Sequence, residues 1–132
     1  MRHALWPEES AQIHANGLDD VLASDDHWGF IAETLEGMPA GFAELAIRKY
    51  ANGCEFQPVP FLEGIWVDAQ FRRNGVGRLL MKHIEAFIAA RGFREIGSDA
   101  LIDNDASHAA HRAWGFSETE RVVYFRKALK AR

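Results

Sequence analysis

The chain has 132 residues, a length that suits one compact domain with a core and is too short for two ordinary domains. Apolar residues make up 48% and charged residues 26% of it, a balance that excludes a disordered segment. The formal net charge of −4 disfavours a nucleic-acid binder and is easier to reconcile with a small cationic substrate. We therefore predict a single domain over residues 1–132 that binds no nucleic acid.

The amino terminus and the apolar pattern also bear on location. No apolar run approaches the roughly 20 residues that cross a bilayer. Residues 1–7 lack the apolar stretch and the cleavage site of a secretory signal. We expect a cytoplasmic protein with no membrane partner. The one cysteine, Cys54, excludes an internal disulfide and leaves any metal site to histidines and carboxylates.

The first third of the chain predicts one helical region and one hairpin. Residues 8–23 carry apolar side chains at imperfect helical spacing, and Gly17 would interrupt or bend a helix there. We predict one broken helix or two short ones. Two short apolar stretches, residues 30–32 and 41–47, flank the turn sequence of residues 36–39, which predicts two antiparallel strands.

A strand, a loop and a helix follow in the middle of the chain. Pro58 and Pro60 keep the backbone extended into the apolar residues 61–67, which predict a central strand. Apolar residues between Val76 and Ile88 then recur at the spacing of one buried helix face, and Gly92 stands where a helix ends.

The last third of the chain predicts a short strand, a helix and a final strand. The strands are residues 93–98 and 121–129, and the helix is residues 106–114. The polar residues 103–105 would cap this helix, and Gly115 would close it. Strands on both sides of a helix predict an α/β or α+β fold with a mixed sheet.

The loop of residues 72–77 joins the central strand to the long helix and is suited to an anion. Gly75 and Gly77 leave backbone amides uncovered where the helix dipole is positive. Three arginines in the segment, Arg72, Arg73 and Arg78, add positive charge. We predict a pyrophosphate here; the alternative is a tight turn beside solvated arginines.

This Arg-x-x-Gly-x-Gly pattern after a strand resembles the acetyl-CoA loop of the GNAT acetyltransferase superfamily. A second block, Asn104, His111 and residues 115–116, has the spacing of that superfamily's Asn, Tyr and Gly-Phe, with His111 in place of the usual Tyr. The resemblance implies an acyl-CoA N-acyltransferase fold, in which helices flank a central mixed, mostly antiparallel sheet, with acetyl-CoA as co-substrate. We expect acetyl-CoA to bind at Ile65, Trp66, Val67, Arg72, Arg73, Asn74, Gly75, Val76, Gly77, Arg78, Asn104 and His111.

The likeness narrows to the aminoglycoside 6′-N-acetyltransferases. Six segments resemble that family in order and spacing: residues 5–7, 50–54, 61–65, 98–99, 103–104 and 115–123. It implies transfer of acetyl to the 6′-amino group of an aminoglycoside antibiotic, and thereby resistance. It also implies a homodimer, with residues 121–129 as a contact. Members usually begin with a further strand and most of a helix before Leu-Trp-Pro, which leaves two alternatives for the sheet here, with and without that first strand.

The family match points to carboxylates that would hold the substrate's ammonium groups, Glu63, Asp99 and Glu120, and to aromatic walls, Trp6 and Tyr50. Core or dimer contacts are the alternative for the two aromatic residues, and a solvated charge is the alternative for Glu120. Glu63 also stands out by itself, because a carboxylate within an apolar strand is costly to bury unless it is paired or functional. Its alternative is a salt bridge to a neighbouring arginine.

The implied reaction is direct attack of a neutral amine on the thioester carbonyl. We expect Glu63, directly or through a water, to accept the amine proton, and the backbone N–H groups of residues 65–67 to face the thioester. His111 would protonate the thiolate, an assistance of little value because a thiol has a pKa of about 8.5.

Other functions stay open at this stage. One is acetyl transfer to a different amine, such as a polyamine or a protein amino group, and another is a silent acyl-CoA-binding module. His108 and His111, three residues apart near two aspartates, could suggest a metal, but acetyl transfer needs none and we expect no metal site. Cys54 lies in an Asn-Gly turn without a histidine partner, which disfavours a nucleophile.

Overall fold

The computed structural model describes residues 12–16 and 26–131. The chain divides into two compact units, Met1–Asp99 and Ala100–Arg132, and each is described by itself. The first unit contains a sheet and a long helix, and the second contains a short helix. Among the described residues, no helix has the length and apolar character needed to cross a membrane.

The sheet has five strands in the described part of the chain, arranged in sequence order. They are β1 (Gln12–Asn16), β2 (His27–Glu33), β3 (Pro39–Arg48), β4 (Val59–Val67) and β5 (Gly97–Ser98). The first three pairings are antiparallel, and β5 joins β4 in parallel. The prediction of a mixed, mostly antiparallel sheet is confirmed.

The long helix, α1 (Val76–Ala90), packs its apolar face against this sheet, as its spacing predicted. Its buried residues are Val76, Leu80, Met81, Ile84 and Ile88. Burial of five such side chains stabilises the unit by roughly 1.5–3 kcal/mol for each large one. The predicted stop at Gly92 is confirmed, since this residue has a φ of 88° just after the helix.

A close approach of α1 to the sheet depends on Gly41 of β3. A Cβ atom placed there would lie 2.8 Å from Cγ1 of Val76, 3.0 Å from the carbonyl oxygen of Trp66 and 3.2 Å from Cδ1 of Leu80. No side chain fits in that space without movement of its neighbours. Gly41 therefore lets the amino-terminal end of α1 lie directly beside the end of β4.

The second unit contains α2 (Asp105–Ala113), which starts and ends one residue earlier than the predicted helix of residues 106–114. The side chain of Asn104 accepts a hydrogen bond from the N–H of Ser107 at 3.1 Å and caps the helix. Gly115 follows the helix with a φ of 95°. Neither feature needs long-range contacts, which is why the sequence predicted both.

Three predicted elements differ in the structure. Within the predicted helical region of residues 8–23, residues 12–16 form a strand paired with β2, and the rest lies outside the described residues. Residues 12–16 form a strand, despite the imperfect helical spacing of this region, because they pair with the edge of β2. Strand formation depends on such a partner more than on local preference. The predicted strand of residues 93–98 shortens to Gly97–Ser98.

The final strand predicted over residues 121–129 is wrong for the described chain. These residues form neither helix nor strand, and the side chains of Tyr124 and Phe125 are 81% and 91% exposed. The run of β-branched and aromatic residues at 122–125 is typical of a strand, but a strand forms only where another edge supplies its hydrogen bonds.

Candidate active site

Glu63 occupies a bulge in β4. Glu44 of β3 pairs with Gly64 and Leu45 pairs with Leu62, so Glu63 is the extra residue between two pairs. Such bulges bend a strand and redirect a side chain, and they are frequent beside active sites. Glu63 is exposed, whereas we expected a carboxylate buried within an apolar strand. The bulge explains the difference, because it turns the residue out of the buried row that precedes it.

The Glu63 carboxylate forms a two-point ion pair with Arg48, the last residue of β3. The guanidinium donates from Nε to Oε2 at 2.9 Å and from Nη2 to Oε1 at 2.7 Å. It also lies over the ring of Phe61, 3.6 Å from the centroid. The two side chains are 40% and 27% exposed, and ion pairs of that exposure contribute at most about 1 kcal/mol to folding. The salt-bridge alternative for Glu63 is thus what the structure contains.

Strands β4 and β5 pair only briefly and then separate. Phe61 pairs with Gly97 and Leu62 with Ser98, and in the described part of the sheet the pairing ends there. Glu63 follows Leu62 in β4, and Asp99 follows Ser98, the last residue of β5. The register therefore places both carboxylates where the two strands separate. Asp99 is exposed. Two carboxylates at one opening suit a substrate with several ammonium groups.

The rest of β4 runs along this opening. Residues 65–67 are paired with β3 on one side, and half of a strand's N–H and C=O groups point to its other side, where β5 has ended. Val67 lies four positions after Glu63, a distance of roughly 13 Å along a strand. The exposed backbone of β4 therefore connects the carboxylates to the start of α1.

The amino-terminal end of α1 has the features of an anion site. Its first N–H groups have no partner inside the helix, as at any helix start. The capping residue is Gly75, in the left-handed region with a φ of 79°; no side chain caps the helix, and no acidic residue lies in its first turn. These amides lie open to a ligand at the positive end of the helix dipole.

Arginines and a tight turn surround this helix start. Arg72 donates from Nε to the carbonyl oxygen of Val67 at 3.1 Å, which ties the loop to the end of β4. Arg73 has a left-handed φ of 70°, and the N–H of Asn74 bonds to the carbonyl oxygen of Phe71 at 3.3 Å. The side chains of Arg72, Arg73 and Arg78 are exposed, and Gly77 is half-buried.

Val76 takes part in this site only through its backbone. Its side chain is 1% exposed and belongs to the core. By contrast, Trp66 of β4 is 51% exposed, and Ile65 and Val67 are half-buried. A pyrophosphate with an extended arm fits these groups: amides and guanidinium groups at the helix start, followed by the open edge of β4.

The second unit positions the other predicted cofactor residues. Asn104 uses its side-chain oxygen to cap α2, which leaves its amide hydrogens as donors. His111 lies on α2, 2.7 Å from Nδ1 to the carbonyl oxygen of Ser107. The same nitrogen lies 3.3 Å from the hydroxyl oxygen of Ser107, so Ser107 contacts His111 through both its backbone and its side chain. The ring packs against Trp114 and Phe116 at 5.6 and 5.1 Å between centroids.

The other three residues predicted to bind the substrate, Tyr50, Glu120 and Trp6, come from different parts of the chain. Tyr50 follows β3 and is exposed, like the carboxylate residues at the strand opening. Glu120 is exposed in the segment after α2. Trp6 lies outside the described residues. The structure thus gathers Glu63 and Asp99 at one opening, where the pairing of β4 with β5 ends.

Cys54 and the histidines do not form a second reactive centre among the described residues. Burial, with the negative charge of Glu95, raises the pKa of the Cys54 thiol, which opposes thiolate formation. Across residues 12–16 and 26–131, no group of three or more His, Cys, Asp or Glu side chains could hold a metal ion. His83, on α1, packs edge-to-face with Phe30 at 5.6 Å, and burial lowers its pKa.

Three supporting residues escaped the sequence prediction. Arg48 carried no local signal, because its contact with Glu63 spans two strands. Gly41 did have a signal in the sequence, since a glycine within a strand often marks a position where another backbone approaches closely. Glu95 accepts hydrogen bonds from the N–H groups of Glu55, at 2.9 and 3.0 Å, and Phe56, at 2.9 Å. These bonds tie the β3–β4 connection to the segment that leads into β5 and Asp99.

Comparison with known families agrees with this geometry. The acetyltransferase (GNAT) family model matches residues 1–116. The chain therefore belongs to the GNAT acetyltransferase family, whose members use acetyl-CoA.

Individual relatives narrow the assignment. The aminoglycoside N(6′)-acetyltransferase type 1 of Serratia marcescens is 43% identical over 130 residues, which cover 98% of this chain and 89% of that protein. The crystal structure of AAC(6′)-Ih from Acinetobacter baumannii has a TM-score of 0.77 and 39% identity, over 83% of this chain and 75% of that one. AAC(6′)-Iy in complex with the bisubstrate analogue CoA-S-monomethyl-acetylneamine has a TM-score of 0.78 and 41% identity, over 84% and 76%. Within the GNAT family, this chain falls among the aminoglycoside 6′-N-acetyltransferases.

Proposed function

We propose that this protein transfers the acetyl group of acetyl-CoA to the 6′-amino group of an aminoglycoside, which confers resistance to such antibiotics. The observation that carries the proposal is the open end of the β4–β5 pair. There, Glu63 and Asp99 offer carboxylates to a polycationic amine, and the free edge of β4 leads to the anion site of α1. The relatives named above, similar over nearly the whole chain, support the same acceptor.

In the proposed reaction, Glu63 accepts the proton of the 6′-ammonium, directly or through a water, and the neutral nitrogen attacks the thioester carbonyl. The C–N bond forms, the C–S bond breaks, and the electron pair leaves on sulfur. The N–H groups along residues 65–67 stabilise the oxyanion. Asp99, Glu120, Tyr50 and Trp6 hold the other parts of the aminoglycoside.

Acetyl-CoA binds, in this proposal, with its pyrophosphate on the amides of Gly75, Val76 and Gly77 and beside Arg72, Arg73, Asn74 and Arg78. From the family resemblance, we assign Asn104 and His111 to acetyl-CoA binding as well. In this proposal, His111 gives a proton to the departing thiolate. We also propose that residues 1–132 are one domain, because the family model matches residues 1–116 and the Serratia marcescens relative aligns with 98% of the chain.

The test is thiol release from acetyl-CoA across a panel of amines. We expect turnover with kanamycin-type aminoglycosides that bear a 6′-amino group and much less with analogues that carry a 6′-hydroxyl. Turnover with polyamines or protein amino groups alone would contradict the proposed acceptor. Binding of acetyl-CoA without thiol release for any amine would support the silent module instead.

We further propose that the enzyme is a cytoplasmic homodimer. The support lies in residues 122–129, where Val123, Tyr124, Phe125 and Leu129 are exposed and the β-branched and aromatic residues are typical of a strand. A second copy of the same segment would supply the missing hydrogen bonds and bury these side chains. Light scattering after gel filtration should give twice the chain mass. Phe125→Ser should shift that mass toward the monomer, and a monomeric wild type would contradict the dimer.

A further inference from the structure

We propose that Arg48 is a positioning residue for the reaction, because it fixes the orientation of the Glu63 carboxylate that receives the amine proton. This inference rests on the proposed function of Glu63. The guanidinium binds both carboxylate oxygens, at 2.7 and 2.9 Å, in the two-point geometry that sets direction as well as distance.

Arg48 is itself held in place. Its guanidinium lies 3.6 Å above the Phe61 ring, and Phe61 is buried. Arg48, the last residue of β3, reaches across to β4 and contacts both Phe61 and Glu63. The Phe61 ring on one face and the Glu63 carboxylate at one edge restrict the orientation of the Arg48 guanidinium.

The pair has a use that stability does not explain. It is too exposed to contribute much to folding. Glu63 lies in a bulge, where the backbone alone holds a side chain less firmly than in a regular ladder. A carboxylate has about four acceptor sites, and the guanidinium uses two of them. Arg48 therefore fixes Glu63 and still leaves one acceptor site on each oxygen for the amine or a bridging water.

A double-mutant cycle tests this role in the full chain. The variants are Arg48→Gln, Glu63→Gln and the double variant, assayed with acetyl-CoA and the amine that the wild type uses best. We expect Arg48→Gln to lower kcat roughly tenfold, as misplacement of a catalytic group does, with the Kd for CoA unchanged. In the Glu63→Gln background, the same change should have no further effect, because Arg48 acts through Glu63.

Two further variants separate positioning from general effects. Arg48→Lys keeps the charge but not the fork, so we expect it to remain nearly as slow as Arg48→Gln. Arg91→Gln is the matched control, because Arg91 also stacks on an aromatic ring, Phe87, at 3.6 Å. It has no part in the proposed site and should keep wild-type kcat. Thermal unfolding of each variant shows that the fold is retained.

The outcomes distinguish this inference from the function beneath it. Equal effects of Arg48→Gln in both backgrounds, unchanged kcat in Arg48→Gln, or full activity in Arg48→Lys would overturn the positioning role while acetyl transfer stands. If the wild type acetylates no amine, the proposed function itself is wrong. If Glu63→Gln is fully active, Glu63 is not the base. In either case, the positioning role of Arg48 is also wrong.

Discussion

Two regions along one strand, β4, are suited to opposite charges by different means. Around Glu63, the site consists of side chains: a carboxylate in a bulge, Arg48 from the neighbouring strand, and Asp99 after β5. Past Val67, the site consists mainly of backbone: the uncapped amides at the start of α1, reached through Gly75. The first region suits an ammonium group and the second a phosphate.

This difference between a backbone site and a side-chain site predicts how each region responds to mutation. Backbone amides at a helix start are fixed by the helix itself, and only a side chain placed in their way can block them. Carboxylates that hold an amine depend on neighbours from other strands. Mutations in the two regions should therefore separate binding of acetyl-CoA from transfer of the acetyl group.

The largest separation is expected from Glu63→Gln. Glutamine keeps the shape of the side chain but cannot accept a proton at neutral pH, so kcat should fall about 100- to 1,000-fold, the usual range for loss of a general base. The Kd for CoA, measured by calorimetry, should change less than twofold. Glu85→Gln, an exposed change on α1, is the control. Wild-type kcat in Glu63→Gln at every pH would remove this residue from proton transfer.

Gly75→Glu should give the opposite result. A carboxylate at the helix start would repel the pyrophosphate and cover the amides, so we expect roughly 100-fold weaker CoA binding, from the loss of charge-assisted hydrogen bonds. Gly92→Glu is a matched control, because Gly92 also has a positive φ, 88°, but lies past the other end of α1. Equal affinity in the two variants would argue against an anion site at Gly75.

Gly41→Ala should affect the junction of the two regions through stability. The added Cβ meets Val76 at 2.8 Å and the Trp66 carbonyl oxygen at 3.0 Å, so α1 must shift away from β4. Overpacking of this kind costs about 1–2 kcal/mol in the free energy of unfolding. Urea unfolding measures it, and Gly64→Ala, where nothing lies within 4 Å of the new Cβ, should stay within about 0.5 kcal/mol. Equal losses would show that the close approach is not tight.

The smallest expected effect is on the pH dependence of stability. It concerns His83, a half-buried residue of α1. Burial lowers its pKa in the folded state, so the unfolded chain binds the proton more readily. Its contribution to stability is present above the unfolded pKa of about 6.5 and is lost as pH falls through the lower folded pKa. Between pH 7.5 and 5.5, Tm should drop slightly less in His83→Gln than in the wild type. An identical drop would remove His83 as a cause.

Local features of this protein could be predicted from sequence, and those that need a partner could not. The hairpin of β2 and β3, the long helix with its stop at Gly92, and the cap at Asn104 all depend on neighbours a few residues away. The strand over residues 12–16 and the absence of one over residues 121–129 depend on whether a sheet edge lies alongside. The periodicity of a sequence does not contain that information.

The same division holds for the candidate site. The sequence by itself predicted the anion loop, from glycines and arginines just before a helix, and it singled out Glu63 by a charge in an apolar strand. Only the tertiary structure decided that Glu63 is turned outward by a bulge and that Arg48 holds it. The physical reason is that a bulge and a salt bridge arise between strands, from a register that the separate strand sequences do not specify.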